Sequence, residues 1–137
     1  LGKGARQEFE FGGLLVAVLN DETGELETIA KIGSGFSEDE MRKLQEMLEK
    51  IRVKDRPKGV SSKLQPDFWV KPKYVITVAA DEITLSPMHT CGLTGDTGYA
   101  LRFPRMMALR DDKSPQDIST TKEIISLFEM QKRRAGA

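Results

Sequence analysis

The spacing of apolar residues changes several times along the chain, and each change marks an element. Phe11 to Leu19 is an apolar, strand-type run interrupted by Gly12-Gly13. Asn20-Asp21-Glu22-Thr23-Gly24 carries turn chemistry, because Asn and Asp bond to their own backbone and Gly tolerates a positive φ. Leu26 to Ile32 follows as a second strand, marked by Leu26, Ile29 and Ile32, so the pair predicts a hairpin. The period then lengthens. Ser37-Glu38-Asp39-Glu40 is a capping box, and Met41, Leu44, Met47, Leu48 and Ile51 recur at helical spacing, which predicts a core-packing helix.

Lys54 to Pro66 is polar, broken by Pro57 and Gly59, and reads as a loop. Phe68 to Ala80 is strand-like, with Trp69 and Tyr74 expected to fill the core. Glu82 to Leu85 should continue the sheet after a bend, Pro87 to Gly98 reads as a surface loop, and Tyr99 to Leu109 as the last strand. Thr120-Thr121-Lys122-Glu123 caps a final helix with Ile124, Ile125, Leu127 and Phe128, ending in Lys132-Arg133-Arg134. Two strands, a helix, about three strands and a closing helix predict a mainly β domain. Short strands punctuated by Gly and Pro suit an OB-fold, a small antiparallel Greek-key β-barrel with an inserted helix and a C-terminal helix.

Composition narrows the class. At 137 residues the chain has the length of one domain, which buries roughly two-thirds of its unfolded surface. Lys+Arg equals Asp+Glu at 21 each, so any phosphate-binding surface must be a local cluster balanced by acids elsewhere. The single Cys91 excludes an internal disulfide and fits a reducing compartment. No apolar run reaches the length of a membrane span, and the N-terminus is no signal peptide. The expected setting is intracellular. Leu1-Gly2-Lys3-Gly4-Ala5-Arg6 is glycine-rich, basic and aperiodic, and reads as a linker; without an initial Met the chain is expected to be a fragment.

Candidate chemistry is concentrated in Leu101-Arg102-Phe103-Pro104-Arg105-Met106-Met107-Ala108-Leu109-Arg110-Asp111-Asp112-Lys113. On a regular strand Arg102 and Arg110 share a parity and Arg105 has the other, so cations are expected on both faces unless Pro104 bends the chain. Arg110 and Lys113 flank a carboxylate pair. A guanidinium grips phosphate with two bonds and an ammonium acts as a point charge, which suits a triphosphate. Removing both cations would cost on the order of a hundredfold to a few ten-thousandfold in a step they assist. A solvated charge run with internal salt bridges is the plainer alternative.

The same segment resembles motif VI of ATP-dependent DNA ligases, whose pattern is L-R-F-P-R followed by R-x-D-K. Phe11-Gly12-Gly13-Leu14-Leu15 and Lys31-Ile32-Gly33-Ser34-Gly35-Phe36-Ser37 resemble that family's first hairpin and the entry to its helix. Pro66-Asp67-Phe68-Trp69 and Val78-Ala79-Ala80-Asp81-Glu82-Ile83-Thr84-Leu85-Ser86-Pro87 resemble the segments around motif Va. The similarity runs in order over nearly the whole chain and is nearest to archaeal and eukaryotic replicative ligases.

The resemblance implies a hinge over 1–10, with Lys3 and Arg6 in it, and an OB-fold domain over 11–137. It implies that Arg110 and Lys113, held by Asp112, cover the triphosphate of ATP (with its Mg²⁺) while a lysine of the preceding adenylation domain becomes adenylated. It further implies that the domain then closes on nicked duplex DNA through Arg102, Phe103 and Arg105. The K-x-D-G sequence of the adenylating lysine does not occur here, so this chain alone is expected to be inactive. Implied contexts are replication, repair and recombination, in an archaeal cytoplasm or a eukaryotic nucleus. A monomer is expected, reaching a sliding clamp through the full-length enzyme and touching no membrane. One departure stands out: Ala108 occupies a position that is basic in many relatives.

Plainer readings accompany several residues. Phe103 could be a core aromatic, and Glu82 could serve a structural salt bridge. His89 and Cys91 are two apart and do not make a metal site. Gly33-Ser34-Gly35 and Gly95-Asp96-Thr97-Gly98 are turns, since neither is followed by the Lys-Ser/Thr of a phosphate loop. The Lys132-Arg133-Arg134 tail suits a helix C-terminus for its own dipole. Two rival functions share the fold class: a stand-alone OB module binding single strands by base stacking, and the OB domain of a related nucleotidyltransferase such as an RNA-capping enzyme.

Overall fold

The computed structural model describes residues 13–33 and 36–136, so the linker with Lys3 and Arg6 lies outside the described residues. Strands β1 (Leu14–Leu19) and β2 (Leu26–Ile32) form the expected hairpin, from Leu14 opposite Ile32 to Leu19 opposite Leu26. Its turn is built as the sequence requires. The Asn20 side-chain oxygen accepts the Glu22 and Thr23 N–H groups at 3.0 and 3.2 Å, and Gly24 adopts φ +79°.

Helix α1 (Glu38–Glu49) starts on the expected capping box: Glu40 N–H donates to Ser37 Oγ at 3.1 Å and Ser37 N–H to Glu40 Oε1 at 2.9 Å. Its apolar face is only partly covered, with Leu44 buried and Met41, Met47 and Leu48 half-buried. The 54–66 stretch is not wholly loop. It contains β4 (Val60–Ser61), which pairs parallel with β2, while β3 (Arg52–Val53) pairs antiparallel with β5 (Trp69–Val70).

The run 68–80 is two strands. Pro72, which has no N–H to donate to a ladder, separates β5 from β6 (Val75–Ala79). β7 (Glu82–Ser86) follows a tight turn but pairs with β9 (Thr97–Arg102) rather than extending the ladder of β6. The supposed surface loop 87–98 contains β8 (Cys91–Thr94), and His89, Thr90 and Cys91 in it are buried. Gly98 makes that packing possible, because a Cβ there would run into the His89 carbonyl. The expected last strand is also two: β9 ends at Arg102 and β10 (Arg105–Arg110) pairs with β6. Helix α2 (Thr121–Gly136) closes the chain, with Thr120 and Glu123 exchanging capping bonds.

The result is mainly β and, apart from the β2–β4 pair, antiparallel. The orders are β1-β2-β4, β7-β9-β8, β6-β10 and β3-β5; among the described residues these ladders do not close into one barrel. The core gathers Val18, Ile29, Ala30, Ile32, Ile83, Cys91 and Ile124, with Tyr99 and Phe128 meeting edge to face at 5.2 Å. Buried Glu27 ties three elements together: its carboxylate accepts from Thr121 Oγ1 (2.7 Å), Gly92 N–H (3.0 Å) and Asn20 Nδ2 (3.1 Å). Burial, and then the charge of Glu27, push the Cys91 thiol up to about 12, so this cysteine is an inert core group. No helix among the described residues is long and apolar enough to cross a membrane.

Candidate functional site

β9 and β10 are joined by Phe103 and Pro104, and the geometry of that turn is unusual. Phe103 adopts φ +54°, a left-handed conformation that costs a non-glycine residue roughly 1–2 kcal/mol. Its ring is 62 % exposed, so it is not a core aromatic. Surrounding bonds hold the turn: Asp81 N–H donates to the Arg102 carbonyl at 2.9 Å, and Arg105 Nη1 donates to the Phe103 carbonyl at 2.9 Å. The flanking arginines are both paired to the β6–β7 turn, Arg102 to Glu82 at 3.0 Å and Arg105 to Asp81 at 3.1 Å. The Arg102 guanidinium also lies 5.0 Å from the centre of the Phe103 ring. Glu82 is thus a salt-bridge partner, and Asp81 is a site residue the sequence reading missed. The signal was two consecutive acids opposite two arginines.

The register of β10 on β6 alters the expected distribution of cations. Arg105 lies opposite Ala79 and Arg110 opposite Val75, but the register slips between Met106 and Ala108. The extra residue is a bulge, and it restores a common parity. Partners four apart on β6 place Arg105, Ala108 and Arg110 on one face, with Thr77 between the arginines. Ile76, Val78 and Met106 point the other way, into the core. The expectation of cations on both faces of one strand is therefore corrected: Arg105 and Arg110 share the outer face of β10, and Arg102 belongs to the separate β7-β9-β8 sheet. Ala108 is exposed between the two arginines, where a longer basic side chain would complete a row.

At the far end of β10 the Arg110 guanidinium is forked onto Asp112, with Nε to Oδ1 and Nη2 to Oδ2 both at 3.0 Å. Nη1 reaches Thr77 Oγ1 at 3.4 Å. The hydrogen bonds from Arg110 hold the Asp112 carboxyl below its ordinary range, and the same pair raises the Arg110 pKa. Lys113 is exposed, with no carboxylate within 4.0 Å among the described residues. Just beyond, Asp117 accepts from Ser114 N–H (3.0 Å) and Oγ (2.9 Å), which lowers its pKa and fixes the chain as it leaves Lys113.

The two groups of cations therefore sit at opposite ends of β10. Their β6 partners, Ala79 and Val75, are four residues apart, so Arg105 and Arg110 are separated by roughly 13 Å along the strand. Chemically, the Phe103 end offers an apolar ring between two arginines, and the Arg110 end offers a preoriented guanidinium beside an unpaired ammonium. Such a pair fits a polyphosphate, because a solvent-exposed ion pair like Arg110–Asp112 opens readily to a competing anion. Among the described residues no three His, Cys, Asp or Glu side chains are grouped as a metal ion would require. A wide cleft of about 1360 Å³ includes Arg110 and Lys113 in its lining, together with residues of β1, α1, β5 and β6.

Comparisons with known proteins bear on the family of the chain. The family model described as ATP dependent DNA ligase C terminal region matches residues 7–113. A probable DNA ligase of Dictyoglomus thermophilum is 52 % identical over 134 residues, which are 96 % of this chain and 23 % of that protein. A DNA ligase of Saccharolobus solfataricus is 40 % identical over 136 residues, 97 % of this chain and 22 % of that protein. The chain thus spans less than a quarter of these relatives. Among solved structures, the ligase domain of M. tuberculosis LigD superimposes with a TM-score of 0.57 at 28 % identity, covering 78 % of this chain and 32 % of that one. A mycobacterial DNA ligase D complexed with ATP and MES superimposes equally well, at 27 % identity over 80 % of this chain and 33 % of that one.

Proposed function

Since the chain belongs to the ATP-dependent DNA ligases, as their C-terminal region, we propose that it serves a nick-sealing enzyme in two successive ways. In the first, Arg110 and Lys113 grip the triphosphate of ATP while a lysine of the adenylation domain of the same polypeptide takes AMP. Positive charge fixed at the departing pyrophosphate stabilises the charge that develops there. Asp112 acts as a positioning residue, holding the guanidinium plane until phosphate displaces it. Mg²⁺ belongs to the bound nucleotide, where it neutralises phosphate charge.

In the second, the domain turns on the 1–10 linker, with Lys3 and Arg6, and Arg102, Phe103 and Arg105 meet nicked duplex DNA. The arginines bond backbone phosphates and the Phe103 ring rests against the minor-groove edge. A monomer in the full-length enzyme, reaching a sliding clamp through its other domains, completes the proposal. The observation that carries it is the separation of two cation groups at the two ends of β10. One rigid strand can then present different ends to different substrates.

The test is lysyl–AMP formation by the adenylation domain with this chain added in trans. The wild-type chain should accelerate it, and an Arg110→Ala, Lys113→Ala double variant should lose a hundredfold or more of that acceleration. Equal acceleration by both would overturn the first role.

A further inference from the structure

Between Lys50 and Lys73 the chain carries eight Lys and Arg against two Asp, a net charge of +6, so the remainder of this neutral chain carries −6. All eight cations are exposed. Five occupy every second position (Lys50, Arg52, Lys54, Arg56 and Lys58), with Ile51, Val53 and Pro57 half-buried between them. These five exposed cations follow one another along the segment as a row of positive charge, of which only Arg52–Val53 is strand. The β3–β5 pairing brings a further exposed cation to the ribbon from its other face: Arg52 lies opposite Val70, and Lys71, whose N–H donates to the Ile51 carbonyl at 2.9 Å, lies opposite Ile51. Arg52 also stacks 3.8 Å from the centre of the half-exposed Phe68 ring.

These cations differ from those of β9 and β10 in how they are neutralised. Arg102, Arg105 and Arg110 each face a carboxylate. Arg52 pairs with Glu49 at 3.2 Å, Arg56 donates to the Ser62 carbonyl, and Lys63 spans the Pro87 and Asp96 carbonyls. Lys54, Lys58 and Lys71 have no carboxylate within 4.0 Å among the described residues. Like charges concentrated in this way repel one another until a polyanion covers them.

We infer that the β3–β5 ribbon with its 54–58 extension is a second DNA-contact surface, which grips the phosphate backbone of the duplex away from the Phe103 turn. Ammonium groups on flexible stems bind phosphates as point charges and read no sequence. The duplex is favoured over a single strand because the ribbon offers one half-exposed ring, Phe68, rather than a platform of stacking aromatics. The inference rests on the proposed function for the presence of DNA. It explains how a neutral domain acquires the electrostatic attraction that DNA binding needs.

The experiment is a salt titration of binding to nicked and intact duplexes of equal length, with the wild-type chain and a Lys54→Ala, Lys58→Ala, Lys71→Ala variant. Each lost phosphate contact lowers the slope of log K against log salt by about 0.9, so the triple variant should flatten it by roughly 2–3 on both duplexes. Its ratio of nicked to intact affinity should not change. Lys71→Gln alone should remove about 1 from the slope, and a triple Lys→Arg variant should restore it. An unchanged slope in the triple variant overturns the inference, and binding of an acidic protein would then be the better use of the row. If in that case Phe103→Ala still abolishes nick preference, the proposed function stands without this surface. A wild-type chain that binds neither duplex at low salt overturns both.

Discussion

Phe103 shows most clearly how a single residue can be held against its own preference. A left-handed backbone is unfavourable for an aromatic residue, and exposure of the ring wastes apolar surface. Both features are expected of a group kept for contact with something else. Phe103→Asn, which tolerates that φ, should leave the melting temperature unchanged or a few degrees higher while weakening nicked-duplex binding. A loss of stability above about 2 kcal/mol would instead make Phe103 a packing residue.

His89 gives a residue-scale dependence on pH. Burial lowers its pKa below the ordinary 6.5, and its Nδ1 lies 3.3 Å from Thr28 Oγ1. The unfolded chain therefore binds a proton that the folded chain refuses. Its contribution to stability is complete above about pH 6.5 and is lost as pH falls from there toward the folded pKa. Thermal melting should show this decline between neutral pH and pH 5, and His89→Gln should flatten it. An identical decline in the variant would assign the effect to other groups.

Among the elements, α2 is anchored to β7 by an unusual side-chain bond. Gln131 acts as a strand substitute on the edge of β7, accepting from Ile83 N–H at 2.8 Å and donating to the Ile83 carbonyl at 2.7 Å. Gln131→Ala leaves both backbone groups unpaired in a half-buried setting and should cost about 1–3 kcal/mol in denaturant unfolding. A change within 0.5 kcal/mol would mean that water replaces the amide. The bulge in β10 makes a second prediction at this scale. Ala108→Arg places a cation on the same outer face as Arg105 and Arg110, so it should steepen the salt dependence of DNA binding by about 0.9.

Elements were legible where local chemistry decides them. The Asn20–Gly24 turn and the Ser37 capping box follow from side chains that bond their own backbone, whatever the rest of the chain does. Misreadings arose where tertiary contacts decide. Residues 87–98 look like loop because Thr, Gly and Asp dominate, yet Thr90 bonds the Ser61 carbonyl at 2.7 Å and the Thr28 N–H at 3.0 Å, which draws the segment inside. Pro104 signalled the break after Arg102, whereas the bulge in β10 was invisible for a different reason. The bulge depends on register against β6, and Met106, Met107 and Ala108 run through it without interruption.

For the whole molecule, net neutrality conceals an uneven distribution of charge. Acids accompany the arginines of β9 and β10, whereas the 50–73 segment holds +6. The family resemblance pointed to the arginines of β9 and β10 because their motif is contiguous in sequence. It gave no sight of the pairing of Asp81 with Arg105, of the shared outer face, or of the lysine row, which depend on how the chain folds. The central proposal concerns the two ends of β10, and its most direct test separates the steps in the full-length ligase carrying this domain. Lysyl–AMP formation and the sealing of a nick already bearing 5′-linked AMP would be timed for Arg110→Ala/Lys113→Ala and for Arg102→Ala/Phe103→Ala. The proposal requires the first pair to slow adenylation a hundredfold or more while sparing the sealing step, and the second pair to do the reverse. Both pairs slowing both steps alike would contradict a two-ended strand and leave one common binding surface.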